Sequence, residues 1–424
     1  MQEKKELKIK FKTMVILLIL LAIIIVATLA IIINKNKETK GNPTVTGSGL
    51  ADMSASDFSM KFLKLENKKE NMVYSPLSIK YALNMLNEGA NGNTKTQIEN
   101  VIKGLNLTKY NPIDDVLSLA NGVYIRDTYA NAVKEDYKNI LTKKYNAEIN
   151  YDAFRDATNI NQWIENKTLG IIKNMLDDHT GQNPATNMIL VNALAIDMEW
   201  ANSFDTNDTY GEDFYLDDGN KMTATMMHKE TKNEQFGYYE DKDITALTMD
   251  LKKYDNTQLQ FVAIMPEDNL SEYVDTFTTE ELNRIIENEI LASETNYGVN
   301  ISIPKFSFDY DLPLKEDLMK LGITDAFDGN LADFSNMADT SLYVGNALHK
   351  ADIDFTERGI KAAAVTVITM DTTAMIDDNR TKPEEIKMDK PFLYFIRDKE
   401  TNEIWFVGTV YEPNSWDEDK EEYR

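Results

Sequence analysis

Hydrophobic and polar positions alternate along this chain in two rhythms. Helical spacing shows first over 51–65, where Phe58, Phe62 and Leu63 share a face. It returns after Ser75-Pro76, an N-cap followed by proline in the first turn, with Ile79, Ala82, Leu83 and Leu86 as the apolar stripe and Gly89 as the stop. Ser78 falls in the first turn of that helix, where a buried hydroxyl needs a partner. Further helices are predicted over 158–168, 279–290 and 314–321, the last stopped at Gly322. Strand patterns cover 72–74, 120–125, 246–251, 259–265 and 391–396. The run 188–196 is almost unbroken apolar and predicts a central strand covered on both faces, with Asn192 its only amide. Residues 301–308 alternate, and Pro304 suits an edge or a bulge. Residues 342–355 predict one strand leading directly into the segment 357–382.

That segment is the one whose pattern does not settle on a single element. After Glu357-Arg358-Gly359-Ile360-Lys361 come Ala362, Ala363 and Ala364, then a run crowded with Val, Ile and Thr, with no further Gly or Pro before Pro383. Three alanines suit a helix start, but the β-branched run asks for a strand. The polar stretch 377–382 then separates it from the next strong strand. An edge strand, a hairpin arm and a loop held out of a sheet it could join all fit the pattern.

Residues 14–33 are twenty in a row without a charge, long enough to cross a hydrocarbon layer as a helix. Lys4, Lys5, Lys8, Lys10 and Lys12 precede them, which predicts an N-terminus inside and the bulk of the chain outside. The expected layout is a basic segment (1–13), an uncleaved transmembrane anchor (14–33), a flexible stalk (34–49), one mixed α+β domain (50–415) and an acidic tail (416–424). A cleaved signal peptide, giving a secreted protein, is the competing reading.

Composition narrows the chemistry. The 424 residues contain no Cys, which excludes disulfides and thiol catalysis. A net charge of −25 argues against nucleic acid as a partner. The three histidines, His179, His228 and His349, are far apart and fit no metal-binding spacing. A nucleophile elbow, a phosphate loop and a dinucleotide fingerprint are missing. No cofactor, metal or enzymatic activity is expected, although 70 acidic residues leave an acid–base pair impossible to single out.

Seven stretches in order, the block 71–79, 89–94, Val191-Asn192-Ala193 with Trp200 and Phe204, Ile303-Pro304-Lys305-Phe306, His349-Lys350-Ala351, 357–364 and 391–396, resemble the successive signatures of the serpin family. The resemblance covers about 50–414. It implies three β-sheets with surrounding helices, a central sheet short of one strand, and an exposed reactive-centre loop able to fill the gap. A serine protease, or a cysteine protease, cuts the loop and becomes tethered as an acyl ester, and insertion then distorts it before water releases it. If about ten to twenty ladder hydrogen bonds form at ~1 kcal/mol each, insertion releases on the order of ten kcal/mol.

The family pattern makes Glu357, Gly359, Ile360, Ala362, Ala363 and Ala364 the hinge. It makes Ser75, Ser78, Asn192 and His349 a hydrogen-bonded shutter under the sheet opening, with Trp200 at the top of the gap. Counting from Gly359 places the reactive bond at Thr373-Ala374, with Thr372-Thr373 next; counting back from Pro391 points to Arg380, and Met370 and Met375 are further candidates. Thr373 and Ala374 suit a protease preferring small side chains, Arg380 a trypsin-like one. Ile360 stands where inhibitory members usually have Thr, and Lys361 where they usually have Glu. A bulky first residue on the buried face slows insertion and turns inhibitor into substrate. The expectation is therefore a monomeric, membrane-anchored, extracellular inhibitor in a bacterium. A non-inhibitory surface protein of the same fold is the alternative, and an anchored hydrolase a third reading.

Overall fold

The computed structural model describes residues 58–102, 107–345, 347–360 and 382–423. The predicted anchor and stalk lie outside the described residues, as do Lys361, Ala362, Ala363, Ala364, Met370, Thr372, Thr373, Ala374, Met375 and Arg380.

Three layers of sheet organise the described residues. A seven-stranded antiparallel sheet runs Met72–Tyr74, Ile404–Val410, Phe392–Asp398, Leu259–Pro266, Ile244–Asp250, Phe236–Glu240 and Ile290–Leu291 in spatial order. A four-stranded sheet runs Glu384–Lys387, Val299–Pro304, Lys221–Thr231 and Thr209–Tyr215, its first pair parallel. The remaining strands, numbered here along the chain, form the sheet that matters most: β1 Leu117–Arg126, β2 Glu148–Asp152, β3 Met188–Ile196, β4 Met198–Glu199, β5 Phe306–Leu312, β6 His349–Phe355 and β7 Gly359–Ile360. They pair in two groups, β2-β1-β3 and β5-β6-β7-β4, which the chain itself joins where β3 passes through Asp197 into β4.

An aromatic cluster ties this sheet to the seven-stranded one. Phe261 and Phe355 have ring centroids 4.7 Å apart, Phe306 and Tyr394 5.4 Å, and Trp200 and Phe355 5.1 Å. All five are buried, and aromatic area of this kind dominates core energetics.

Four predicted elements differ from the structure. The single strand expected over 301–308 is two strands in different sheets, because Pro304 lacks the N–H to continue a ladder and Lys305 turns the chain from one sheet into the other. The strand expected over 342–355 begins only at His349; among the described residues 342–348 make no strand pairing, since β5 ends opposite His349. The helix expected over 279–290 is Thr279–Glu287, capped by Thr278, and Ile290 passes into a short strand. Residues 188–196 form the predicted strand, yet Met188, Ile189 and Leu190 are only half-buried, and among the described residues β3 pairs along one edge alone, with β1.

Candidate functional site

The site begins at the N-terminus of helix Pro76–Gly89, directly beneath β3 and β6. Ser75 is the cap, and its side-chain oxygen accepts from the Ser78 N–H at 3.1 Å. The Ser78 hydroxyl donates to Asn192 Oδ1 on β3. The Asn192 amide donates onward to Asn121 Oδ1 on β1 at 2.7 Å, and Asn121 donates to the Tyr145 carbonyl at 2.8 Å. On the other side, the Ser75 backbone N–H donates to His349 Nε2 at 2.9 Å. That ring nitrogen is therefore an acceptor, and complete burial agrees with it: desolvation lowers the His349 pKa from 6.5 to about 4. The cap of one helix thus holds strands from both sides of the opening, and the four predicted shutter residues meet in one network. Asn121 was not singled out from the sequence, although an amide inside an apolar strand was a readable signal; the register sets it opposite Asn192.

Above the network the described residues leave a gap between β3 and β6. Strand β6 pairs with β5 along all seven residues, but on its other edge, among the described residues, only Phe355 is paired, with Ile360. Leu194, Ala195 and Ile196 of β3 and Asp352 and Ile353 of β6 face one narrow cleft roofed by Ile360. Lower down, the first residues of β3 and the segment 341–345 line a cavity of about 730 Å³. A strand edge with no neighbouring strand is a template for another.

The top of the opening is where the predicted hinge lies. Thr356 to Gly359 form a tight turn, with the Thr356 N–H donating to the Gly359 carbonyl at 3.0 Å. Gly359 then pairs with Glu199, and Ile360 with Met198 and Phe355. These two residues already occupy the first positions of the missing strand. A side chain at Gly359 has no room, since a Cβ would stand 2.1 Å from the Met198 carbonyl oxygen. Ile360 is 2 % exposed, so the bulky residue is accommodated on the buried face. Trp200 donates its indole N–H to the Thr356 carbonyl and its backbone N–H to the Arg358 carbonyl, each at 2.8 Å. The Phe204 N–H donates to the Glu357 carbonyl at 2.9 Å, and Arg358 forks onto Glu199 at 2.6 and 2.8 Å. Lys252 also bonds Glu199, and these two cations oppose burial to hold its carboxyl below the usual range.

Residues 361–381 connect this hinge to Glu384–Lys387, the edge strand of the four-stranded sheet. Among the described residues no cluster of three or more acidic or imidazole groups could hold a metal ion. What the described residues offer is a strand position between β3 and β6 with its first two residues, Gly359 and Ile360, in place.

Comparison with known proteins agrees with this geometry. The family described as Serpin (serine protease inhibitor) matches residues 53–413. A serpin-like protein of Methanosarcina mazei is 32 % identical over 364 residues, covering 81 % of this chain and 82 % of that one. Serpin B10 of Sorex araneus is 30 % identical, covering 85 % and 97 %. Among solved structures, the thermophilic serpin tengpin in its native state superposes with a TM-score of 0.70 at 30 % identity, covering 88 % of this chain and 96 % of that one. On the strength of the match along its length, the chain belongs to the serpin family.

Proposed function

We propose that this protein is a suicide-substrate inhibitor of serine endopeptidases, with cysteine endopeptidases as a further target class. The observation that carries the reading is the hinge: Gly359 and Ile360 are paired between β4 and β6 at the head of the gap that the described residues leave between β3 and β6. A nucleophile on the protease attacks the carbonyl carbon of the reactive bond, an ester forms, and the new amino terminus leaves. The segment beyond Ile360 then extends β7 downward between β3 and β6, carrying the tethered protease with it. Thr373-Ala374 is the proposed bond, with Thr372, Met375 and Arg380 as alternatives, and a protease preferring small side chains is the proposed partner. We place the domain outside the cell on the 14–33 anchor, as the lysines before that segment and its charge-free length support.

The non-inhibitory alternative drew on Ile360 and Lys361. Ile360 does lie on the buried face, but it is already paired with Met198 and Phe355, ahead of the residues that insert. The deciding test mixes the full chain, in detergent, with a panel of proteases and looks on denaturing gels for a covalent band, with mass spectrometry of the released peptide to locate the bond. A band with at least one enzyme is expected. Loop cleavage by every enzyme with no band from any of them would return the protein to the non-inhibitory class.

A further inference from the structure

The C-terminal segment reads in the sequence as a plain acidic tail, yet its described residues fold onto the domain and end at the hinge. Its course starts where Lys305 passes from one sheet to the other. The Asn414 N–H donates to the Lys305 carbonyl and the Thr225 N–H to the Asn414 carbonyl, both at 3.0 Å, and Ser415 bridges to Ala224. The helical turn Trp416–Asp419 lies against Thr209–Tyr215 and Lys221–Thr231. There the Trp416 ring fills the space over Gly211, where a Cβ would come within 2.6 Å of it. Trp416 stacks on Tyr423, with centroids 5.5 Å apart and planes 27° from parallel. The Tyr423 hydroxyl accepts from Lys305 Nζ and donates to Glu357 Oε1 at 2.6 Å. Lys305 also pairs with the second Glu357 oxygen at 3.5 Å, and both side chains are buried (6 % and 8 % exposed).

Glu357 sits in the turn 356–359, from which β7 starts. We infer that Tyr423 is a positioning residue for loop insertion, its hydroxyl fixing Glu357 so that the hinge turn stays in the register from which the strand grows. The inference rests on the proposed inhibitory function and adds the C-terminal segment to it. Direction follows from geometry. The turn keeps its place while the strand lengthens below it, so the tail loses no contact as insertion proceeds. Before insertion, the same contacts keep the first two residues paired and remove the search for register, an ordering step that otherwise falls within the reaction. A charge-assisted hydrogen bond in a site this buried is among the stronger kinds.

The test uses the full chain, nicked in the loop by a small amount of protease, with insertion followed by stopped-flow tryptophan fluorescence. Trp200 reports on the hinge through its bond to Thr356, and Tyr423→Phe removes no tryptophan and keeps the ring stack. The expected result is insertion about three- to tenfold slower in Tyr423→Phe, and slower by at least as much in a chain ending at Ser415. The final melting temperature of the cleaved form should stay unchanged. Equal rates in parent and Tyr423→Phe, even with a lower melting temperature before cleavage, would reduce the hydroxyl to ordinary packing and overturn the inference. Faster insertion would overturn it too, making the tail a brake. A parent chain that gains no thermal resistance on cleavage fails at the earlier step and takes the inhibitory function down with it, so the two failures are distinguishable.

Discussion

Strands Phe392–Asp398 and His349–Phe355 are each seven residues long, and their situations are opposite. The first is paired on both edges, against Leu259–Pro266 and Ile404–Val410, and all seven of its residues are buried. The second is paired fully on one edge and, among the described residues, at a single residue on the other, and its residues alternate between buried and half-buried. One sheet is paired on both edges of its inner strands; the other, among the described residues, leaves a gap between β3 and β6 with a helix cap, Ser75, beneath it. The difference teaches where free energy remains to be released. Every further ladder bond must form in the central sheet, because the seven-stranded sheet has no interior position left to fill.

The widest test of that contrast is to let the open sheet finish. Cutting the loop between residues 364 and 380 should raise the melting temperature by on the order of 20 °C, taking about ten bonds at ~1 kcal/mol and roughly 2 °C per kcal/mol for a domain of this size. Calorimetry before and after cleavage checks it. An unmoved transition would mean that the two sheets store the same amount, namely nothing.

A core substitution in the finished sheet should behave in the opposite way. Phe395, fully buried and stacked on Phe277 at 5.6 Å, contributes equally whether or not the loop is inserted. Phe395→Ala should cost about 3–5 kcal/mol in both forms, read by denaturant titration of intact and cleaved protein. A loss confined to one form would show that insertion reaches the second sheet.

The contrast between the sheets also explains what could be read from the sequence. Elements whose partners are supplied by pattern alone were legible: the cap at Ser75, the stripe of the helix behind it, the run 391–396. The shutter was legible as residues, through the family pattern, but Asn121 was not, because its role depends on the cross-strand register that places it opposite Asn192. The strand predicted over 342–348 failed for a related reason. Strand propensity is a preference for a pleated, paired surface, and β5 stops short of those residues. Tyr423 and Lys305 were invisible as a pair, since 118 residues separate them and only the sheet-to-sheet crossover at Lys305 brings the tail to the hinge.

Acidification separates the two regions by charge. His349 is buried and neutral, with its pKa lowered from 6.5 to about 4 by desolvation. Between those values the unfolded chain binds the proton and the folded one does not, so stability is complete above about 6.5 and falls as pH drops toward 4. The loss should reach at most about 3 kcal/mol. The titratable and charged side chains nearest His349 along its own strand, Lys350 and Asp352, point away from the shutter to the other face. His349→Gln, whose amide oxygen can accept from the Ser75 N–H, should flatten that part of the stability curve against pH. A slope retained in His349→Gln would assign it to the carboxylates instead.

The smallest effect is expected where the chain departs from the family pattern. Ile360→Thr restores the usual residue at the hinge and places a hydroxyl in the cleft between Ile196 and Ile353. In the intact chain it should cost about 1–2 kcal/mol, the loss of buried apolar volume plus a polar group to satisfy. Its effect on trapping is the sharper question. A bulky residue slows insertion only if it has still to enter the sheet, and Ile360 is already inside, paired with Met198 and Phe355. Insertion proper begins at residue 361, so the number of inhibitor molecules consumed per protease should stay within about twofold of the parent value, a barrier change under ~0.5 kcal/mol. A large improvement with Thr would mean that the pairing at Ile360 must break and re-form during insertion, and that the open sheet is seeded less firmly than its register indicates.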